Sequence, residues 1–135
     1  MRAAPVLAWL QREPGFATVR KHLEGAKNEG GEACIISAIN LGEIYYRLAR
    51  GRGREAADRF WEDVRSAALP LEVIEATLPR VRAAARLKAR HRLSYADAFA
   101  VAAAVEHGAP LLTGDPEILA LEDVEGLNVV RLPRR

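Results

Sequence analysis

Three carboxylates occupy similar places along the chain, and together they could bind a divalent metal ion. Glu43, Asp97 and Asp115 each come just after a predicted strand and lie within the first turn of a predicted helix. Carboxylate oxygens without lysine or histidine partners are the ligands that hard cations such as Mg²⁺ and Mn²⁺ prefer. Such an ion can activate water and stabilise a phosphate group during displacement. These residues therefore indicate a Mg²⁺ or Mn²⁺ site that acts on phosphate.

Helix capping is the alternative explanation for each carboxylate. Asn40 could cap a helix that begins at Leu41, and Glu43 could close a capping box with it. Ser94 precedes Asp97 at the same spacing. Asp115 stands directly before a proline, which is a common way to start a helix. For any one of these residues taken alone, capping is the favoured explanation.

Two observations favour a metal site for the group as a whole. The helix predicted from Tyr95 to His107 is apolar on nearly every face, so Asp97 must enter largely buried surroundings. A buried carboxylate is costly unless it is paired or bound to a metal. In open α/β sheets, ligands bind outside the carboxyl ends of the strands, and all three carboxylates would converge on that edge.

Short apolar runs alternate with segments of helical period, which predicts a parallel sheet covered by helices. No linker or repeat divides the chain, so we expect one domain over residues 1–135 with a three-layer α/β/α architecture. The predicted strands are residues 33–37, 69–74, 110–113 and 128–132. The predicted helices are residues 16–28, 41–50, 54–68, 79–90 and 95–107.

The beginning of the chain departs from this alternation. Residues 6–10 are predicted to form a short helix, followed by a turn at residues 13–15, with no strand before them. The first strand of a doubly wound sheet usually lies in its middle. The sequence therefore predicts a sheet that lacks its first central strand.

Composition excludes several other classes of protein. The chain has 135 residues, of which 50% are apolar and 28% charged, as in a soluble globular domain. It contains neither an apolar run long enough to span a bilayer nor a signal sequence, which predicts a cytoplasmic protein with no membrane contact. The single cysteine, Cys34, lies in an apolar run and is predicted to be a buried thiol. The three histidines are scattered without the spacing of metal ligands.

Basic residues are concentrated near two of the carboxylates, although the net charge is only +2. Residues 80–92 contain six arginines and lysines and no acid, and a second basic run follows Glu43. A polyanion whose backbone is attracted by cations and cut at a metal would suit this pattern, with Arg82 and Arg86 as candidate contacts. The alternative is a solvated helix face with an i,i+4 pair between Glu43 and Arg47. The pattern contains no aromatic interleaving of the kind that marks a base-stacking platform.

Over nearly its whole length, the chain resembles the PIN-domain family and, within it, the small toxins of VapC type. The segments that carry this resemblance are residues 7–10, 13–15, 36–45, 93–99 and 111–117. The resemblance implies a Mg²⁺-dependent endoribonuclease whose acidic quartet binds metal at the carboxyl edge of a parallel sheet. It also implies an RNA substrate, a cognate VapB-like antitoxin and a homodimer.

Three of the four acids of the family map onto Glu43, Asp97 and Asp115 by this resemblance, which gives these residues metal-binding and catalytic roles. Thr113 and Ser37 match hydroxyl positions beside the site. The first acid of the family falls on Arg2.

Two interpretations of that departure remain. In the first, translation starts upstream of Met1, and the functional protein contains the missing strand and acid. In the second, the chain is a degenerate PIN domain that has lost catalysis and only binds RNA or an antitoxin. The first is favoured because an apolar strand is expensive to lose from a fold that keeps its other motifs.

Overall fold

A computed structural model describes residues 6–7, 34–69, 71–113 and 129–131 of the chain. Strands and helices alternate along most of this part, as the sequence predicts. The elements are β1 (Val6–Leu7), β2 (Cys34–Ser37), α1 (Ala38–Arg52), α2 (Arg54–Arg65), β3 (Leu71–Ile74), α3 (Leu78–Arg90), α4 (Tyr95–His107), β4 (Leu111–Thr113) and β5 (Val129–Arg131). The helix predicted over residues 16–28 lies outside the described residues.

The described strands form one parallel sheet in the order β3-β2-β1-β4-β5. Its central strand is β1, in which Val6 lies opposite Ile35 on one side and Leu111 on the other. The prediction that the first central strand is absent, and that residues 6–10 are helical, is therefore wrong at Val6 and Leu7. A short apolar run has no distinctive periodicity, and here pairing with β2 and β4 decides its conformation.

The sheet separates two hydrophobic cores because successive side chains of a strand point to opposite faces. Cys34 and Ile36 pack with side chains of α1 and α2, including the fully buried Phe60. Ile35, which lies between them in sequence, packs instead with side chains of α3 and α4. Helices thus cover both faces, and the three-layer α/β/α architecture is confirmed.

Helix α4 is almost entirely buried, as its apolar sequence predicts. Every residue from Asp97 to Ala104 is buried, and most of these side chains are alanines that let neighbouring elements approach closely. The helix ends at Gly108, whose left-handed conformation (φ 56°) lets its N–H reach the carbonyls of Ala104 and Val105. Among the described helices, none is long and apolar enough to cross a membrane.

Burial of Cys34 should make its thiol unreactive in the folded protein. The side chain is 2% exposed, and desolvation raises the pKa of the thiol to about 11. Because only the thiolate reacts, we expect disulfide reagents to modify the folded chain at pH 8 at least about 100-fold more slowly than the chain in urea. Absorbance of the released reagent anion measures both rates at the single cysteine of the chain. Equal rates in the two conditions would contradict the buried position.

Candidate active site

Helix α1 begins directly after β2, and Ser37 is its N-cap. The Ser37 hydroxyl oxygen accepts a hydrogen bond from the backbone N–H of Ile39 at 3.1 Å. Asn40 and Glu43 therefore lie inside the helix, and the predicted capping box between them is wrong. The start of a helix is set by the first residue whose backbone leaves the sheet, which apolar periodicity alone does not reveal. Capping thus no longer explains why a carboxylate stands at Glu43.

The buried amide of Asn40 connects α1 to α4. Asn40 is fully buried, and its Nδ2 donates a hydrogen bond to the backbone carbonyl of Ala96 at 2.9 Å. Helix α1 starts at the carboxyl edge of the sheet because it follows β2, and α4 starts at that edge because it leads back to β4. The hydrogen bond joins the residue three positions before Glu43 to the residue directly before Asp97. The structure therefore brings together the two backbone segments that carry these carboxylates.

Glu43 is largely buried, and only one of its two carboxylate oxygens has a hydrogen-bond partner among the described residues. Its side chain is 14% exposed, and its Oε2 accepts a hydrogen bond from an Arg47 terminal nitrogen at 3.3 Å, which confirms the predicted i,i+4 pair. Its Oε1 is buried without a hydrogen-bond partner among the described residues, and so is Oδ1 of Asn40. A buried acceptor that lacks a donor is unfavourable by about 1–3 kcal/mol. Two such oxygens one helical turn apart fit a hard cation, which binds carboxylate and amide oxygens.

Asp97 lies in the first turn of α4 and is 7% exposed. Its backbone N–H donates to the Ser94 hydroxyl at 3.1 Å, so Ser94 is the N-cap that the sequence predicts. The positive end of the helix dipole favours a negative charge at this position. Asp97 is therefore a buried carboxylate at the same edge of the sheet as Glu43.

The remaining predicted site residues contribute less to this geometry. Asp115 lies outside the described residues, while Thr113 ends β4 at the carboxyl edge and its hydroxyl also lies outside them. Ser37 is buried as the N-cap of α1, and its predicted role toward water or phosphate stays a prediction. Within residues 34–69 and 71–113, no three histidine, cysteine, aspartate or glutamate side chains come together as a metal cluster. The proposed triad thus stays a prediction that includes Asp115.

The basic stretch of residues 80–92 is divided between structural pairs and solvent-facing cations. Arg80 donates to Glu106 at 3.0 Å and to the Glu75 carbonyl at 2.9 Å, and this pairing lowers the pKa of Glu106. Lys88 donates to a backbone carbonyl. Arg82 and Arg86 are exposed on α3, and no ion pair to a described residue involves them. Of the cations in this stretch, they are therefore among those available to a ligand.

Asn40 is the site residue that sequence reasoning assigned to the wrong role. One sequence feature could have indicated its structural role: Asn40 is a polar residue one turn before Glu43, on a helix face that is otherwise apolar. Its partner, Ala96, is 56 positions further along the chain, so no local pattern identifies the contact.

A family comparison covers the part of the chain that contains both buried carboxylates. The family profile described as "PIN domain" matches residues 5–124, which is most of the sequence. The chain belongs to the PIN domain family. No curated protein matches this PIN domain at a significant level.

Solved structures have the same fold as this PIN domain. VapBC2 from Rickettsia felis, bound to a DNA fragment from its promoter, is 17% identical with a TM-score of 0.62, over 86% of this chain and 91% of that one. A toxin–antitoxin complex from Klebsiella pneumoniae is 16% identical in sequence, with a TM-score of 0.60, and the match covers 90% of this chain and 88% of that chain. VapC20 from Mycobacterium tuberculosis, a toxin that cleaves the sarcin–ricin loop, is 22% identical in sequence, with a TM-score of 0.55. This match covers 67% of this chain and 71% of that chain. At these identities the similarity establishes the fold.

Replacement of Asn40 by alanine tests whether its amide holds the two helices together. Asn40→Ala removes a buried hydrogen bond, and we expect the free energy of unfolding to fall by about 1–3 kcal/mol in urea titrations. Ser66→Ala is the control because Ser66 is exposed and makes only a 3.5 Å contact, so its loss should change stability little. Equal stabilities of the two variants would show that the Asn40 contact is not needed.

Proposed function

We propose that this PIN domain is a divalent-cation-dependent endoribonuclease and the toxin of a VapBC-like toxin–antitoxin pair. The observation that carries the proposal is the Asn40–Ala96 hydrogen bond, which holds the segments of Glu43 and Asp97 together at the carboxyl edge of the sheet. Unpartnered buried oxygens at Glu43 and Asn40 support a cation at that place.

In the proposed mechanism Glu43, Asp97 and Asp115 would hold Mg²⁺ or Mn²⁺. When bound, the ion makes water nucleophilic near neutral pH and offsets the negative charge that develops on the phosphate. Arg47 donates a hydrogen bond to one oxygen of Glu43, and the other oxygen has no hydrogen-bond partner among the described residues. Asn40 keeps α1 fixed against α4. Ser37 and Thr113 would orient water or a phosphate oxygen through their hydroxyls.

The exposed arginines of α3 suit the backbone of an RNA substrate. Arg82 and Arg86 lie one turn apart on the same helix, and their guanidinium groups can hold two phosphate oxygens at once. Binding of this kind weakens with salt because condensed counterions are released from the RNA.

An antitoxin partner and a homodimer belong to the same proposal. The structural neighbours from Rickettsia felis and Klebsiella pneumoniae are complexes of a toxin with its antitoxin. Their fold extends over most of this chain, which supports an antitoxin of VapB type as the partner that restrains activity.

Cleavage should require both a metal and the two described carboxylates. We expect labelled RNA to be hydrolysed in Mg²⁺, to survive with excess chelator, and to be cleaved more than about 100-fold more slowly by Glu43→Gln and Asp97→Asn, since even indirect metal partners contribute up to that factor. Glu72→Gln is the matched control: it removes the same charge at an exposed position of β3 and should keep full activity. Cleavage that survives both the chelator and the two substitutions would exclude the metal mechanism.

A catalytically degenerate PIN domain is the second candidate, and one observation favours it. The central strand is β1 (Val6–Leu7), and residues 8–12, which follow its carboxyl end, contain no carboxylate, whereas the family resemblance implies an acid at the end of that strand. This candidate predicts binding of RNA or antitoxin without metal-dependent loss of RNA. The cleavage assay with wild-type protein separates the two candidates directly.

A further inference from the structure

One face of α1 continues outward from the candidate site as a row of basic and aromatic side chains. Glu43, Tyr46, Arg47 and Arg50 follow one another at positions i, i+3, i+4 and i+7, which places them on the same side of a helix. We call these four residues the α1 face. At 1.5 Å per residue, Arg50 lies about 10 Å along the helix axis from Glu43. The α1 face therefore begins at the carboxylates and leads away from them.

The ring of Tyr46 orients the two arginines of this face. Tyr46 is 42% exposed, and the guanidinium carbons of Arg47 and Arg50 lie 5.4 Å and 5.1 Å from its ring centroid. Both contacts are within the range of a cation–π interaction. A guanidinium that is held beside a ring loses less conformational freedom when it binds a ligand.

The two arginines differ in what else they contact. Arg47 is committed to Glu43 through an ion pair. Arg50 is exposed and forms no ion pair with a carboxylate of the described residues, whereas Arg54, Arg65 and Arg80 each form one. The guanidinium N–H groups of Arg50 are thus held beside Tyr46 and are not paired with a carboxylate of the described residues. Two parallel donors of this kind match the oxygens of a phosphate.

We propose that Arg50, held by Tyr46, binds the backbone of single-stranded RNA beside the scissile phosphate. This inference rests on the proposed function, because it takes the scissile phosphate to lie near Glu43 and Asp97. RNA that leaves this place along the α1 face meets Arg50 with a neighbouring phosphate. Tyr46 is a positioning residue: it holds the guanidinium beside its ring and need not touch the RNA itself.

RNA binding without cleavage tests this contact. A fluorescein-labelled single-stranded RNA oligonucleotide is titrated with the full chain in chelator, and fluorescence anisotropy gives the Kd over a series of salt concentrations. We expect Arg50→Ala to raise the Kd about 10-fold, as for loss of a charge-assisted hydrogen bond, and to reduce the magnitude of the salt slope by about 0.7 for the lost phosphate contact. Arg59→Ala is the matched control, because Arg59 is an exposed arginine on α2 with no ring contact among the described residues. The Kd of the Arg59→Ala variant for the RNA should stay within about twofold of the wild-type value.

Changes at Tyr46 separate positioning from charge. Tyr46→Ala should raise the Kd while leaving the salt slope unchanged, because the number of cations stays the same and only their orientation is lost. Tyr46→Phe keeps the ring and should bind as wild type. Arg50→Lys should keep most of the salt slope but not the affinity, because an ammonium group cannot form the planar two-point contact.

Equal Kd values for Arg50→Ala and Arg59→Ala, or no RNA binding by the wild type, would overturn the inference. So would an Arg50→Ala variant that binds RNA normally but loses an acidic protein partner, since the α1 face would then be a protein interface. Failure of the proposed function is a different result. Arg50-dependent binding without metal-dependent cleavage keeps the RNA contact and rejects the nuclease, whereas metal-dependent cleavage with an unchanged KM in Arg50→Ala keeps the nuclease and rejects the contact.

Discussion

The side chain of Asn40 holds two helices from opposite layers together where they cross the carboxyl edge of the sheet. Its amide is fully buried and donates to Ala96, so the beginnings of α1 and α4 cannot separate without exposing or orphaning polar atoms. Glu43 and Asp97 are each within one turn of this contact. The position of both carboxylates therefore depends on one hydrogen bond between segments that are far apart in sequence.

The sheet explains why the two helices meet there. Parallel strands direct every following helix from the same edge, and the alternation of Cys34, Ile35 and Ile36 between two cores sends helices to both faces. Strand β1 closes the middle of this sheet through pairing on both sides. Burial of α4 against it leaves Asp97 with little access to water, which is the environment in which a carboxylate most needs a cation or a donor.

Charge on the surface is arranged around this buried edge. Arg47 neutralises part of Glu43, and Tyr46 orients Arg47 together with Arg50. On the other layer, Arg80 is tied to Glu106, while Arg82 and Arg86 face solvent. Exposed arginines thus lie in both layers, although the net charge of the chain is only +2.

The sequence by itself determined the features that depend on neighbouring residues. These are the alternation of strands and helices, the burial of α4 and Cys34, the Ser94 cap and the Glu43–Arg47 pair. Only the tertiary structure decided that Val6 and Leu7 form the central strand, that α1 starts at Ala38, and that Asn40 connects two helices. Each of these depends on which distant segment supplies the hydrogen-bond partner, and local periodicity carries no information about that partner.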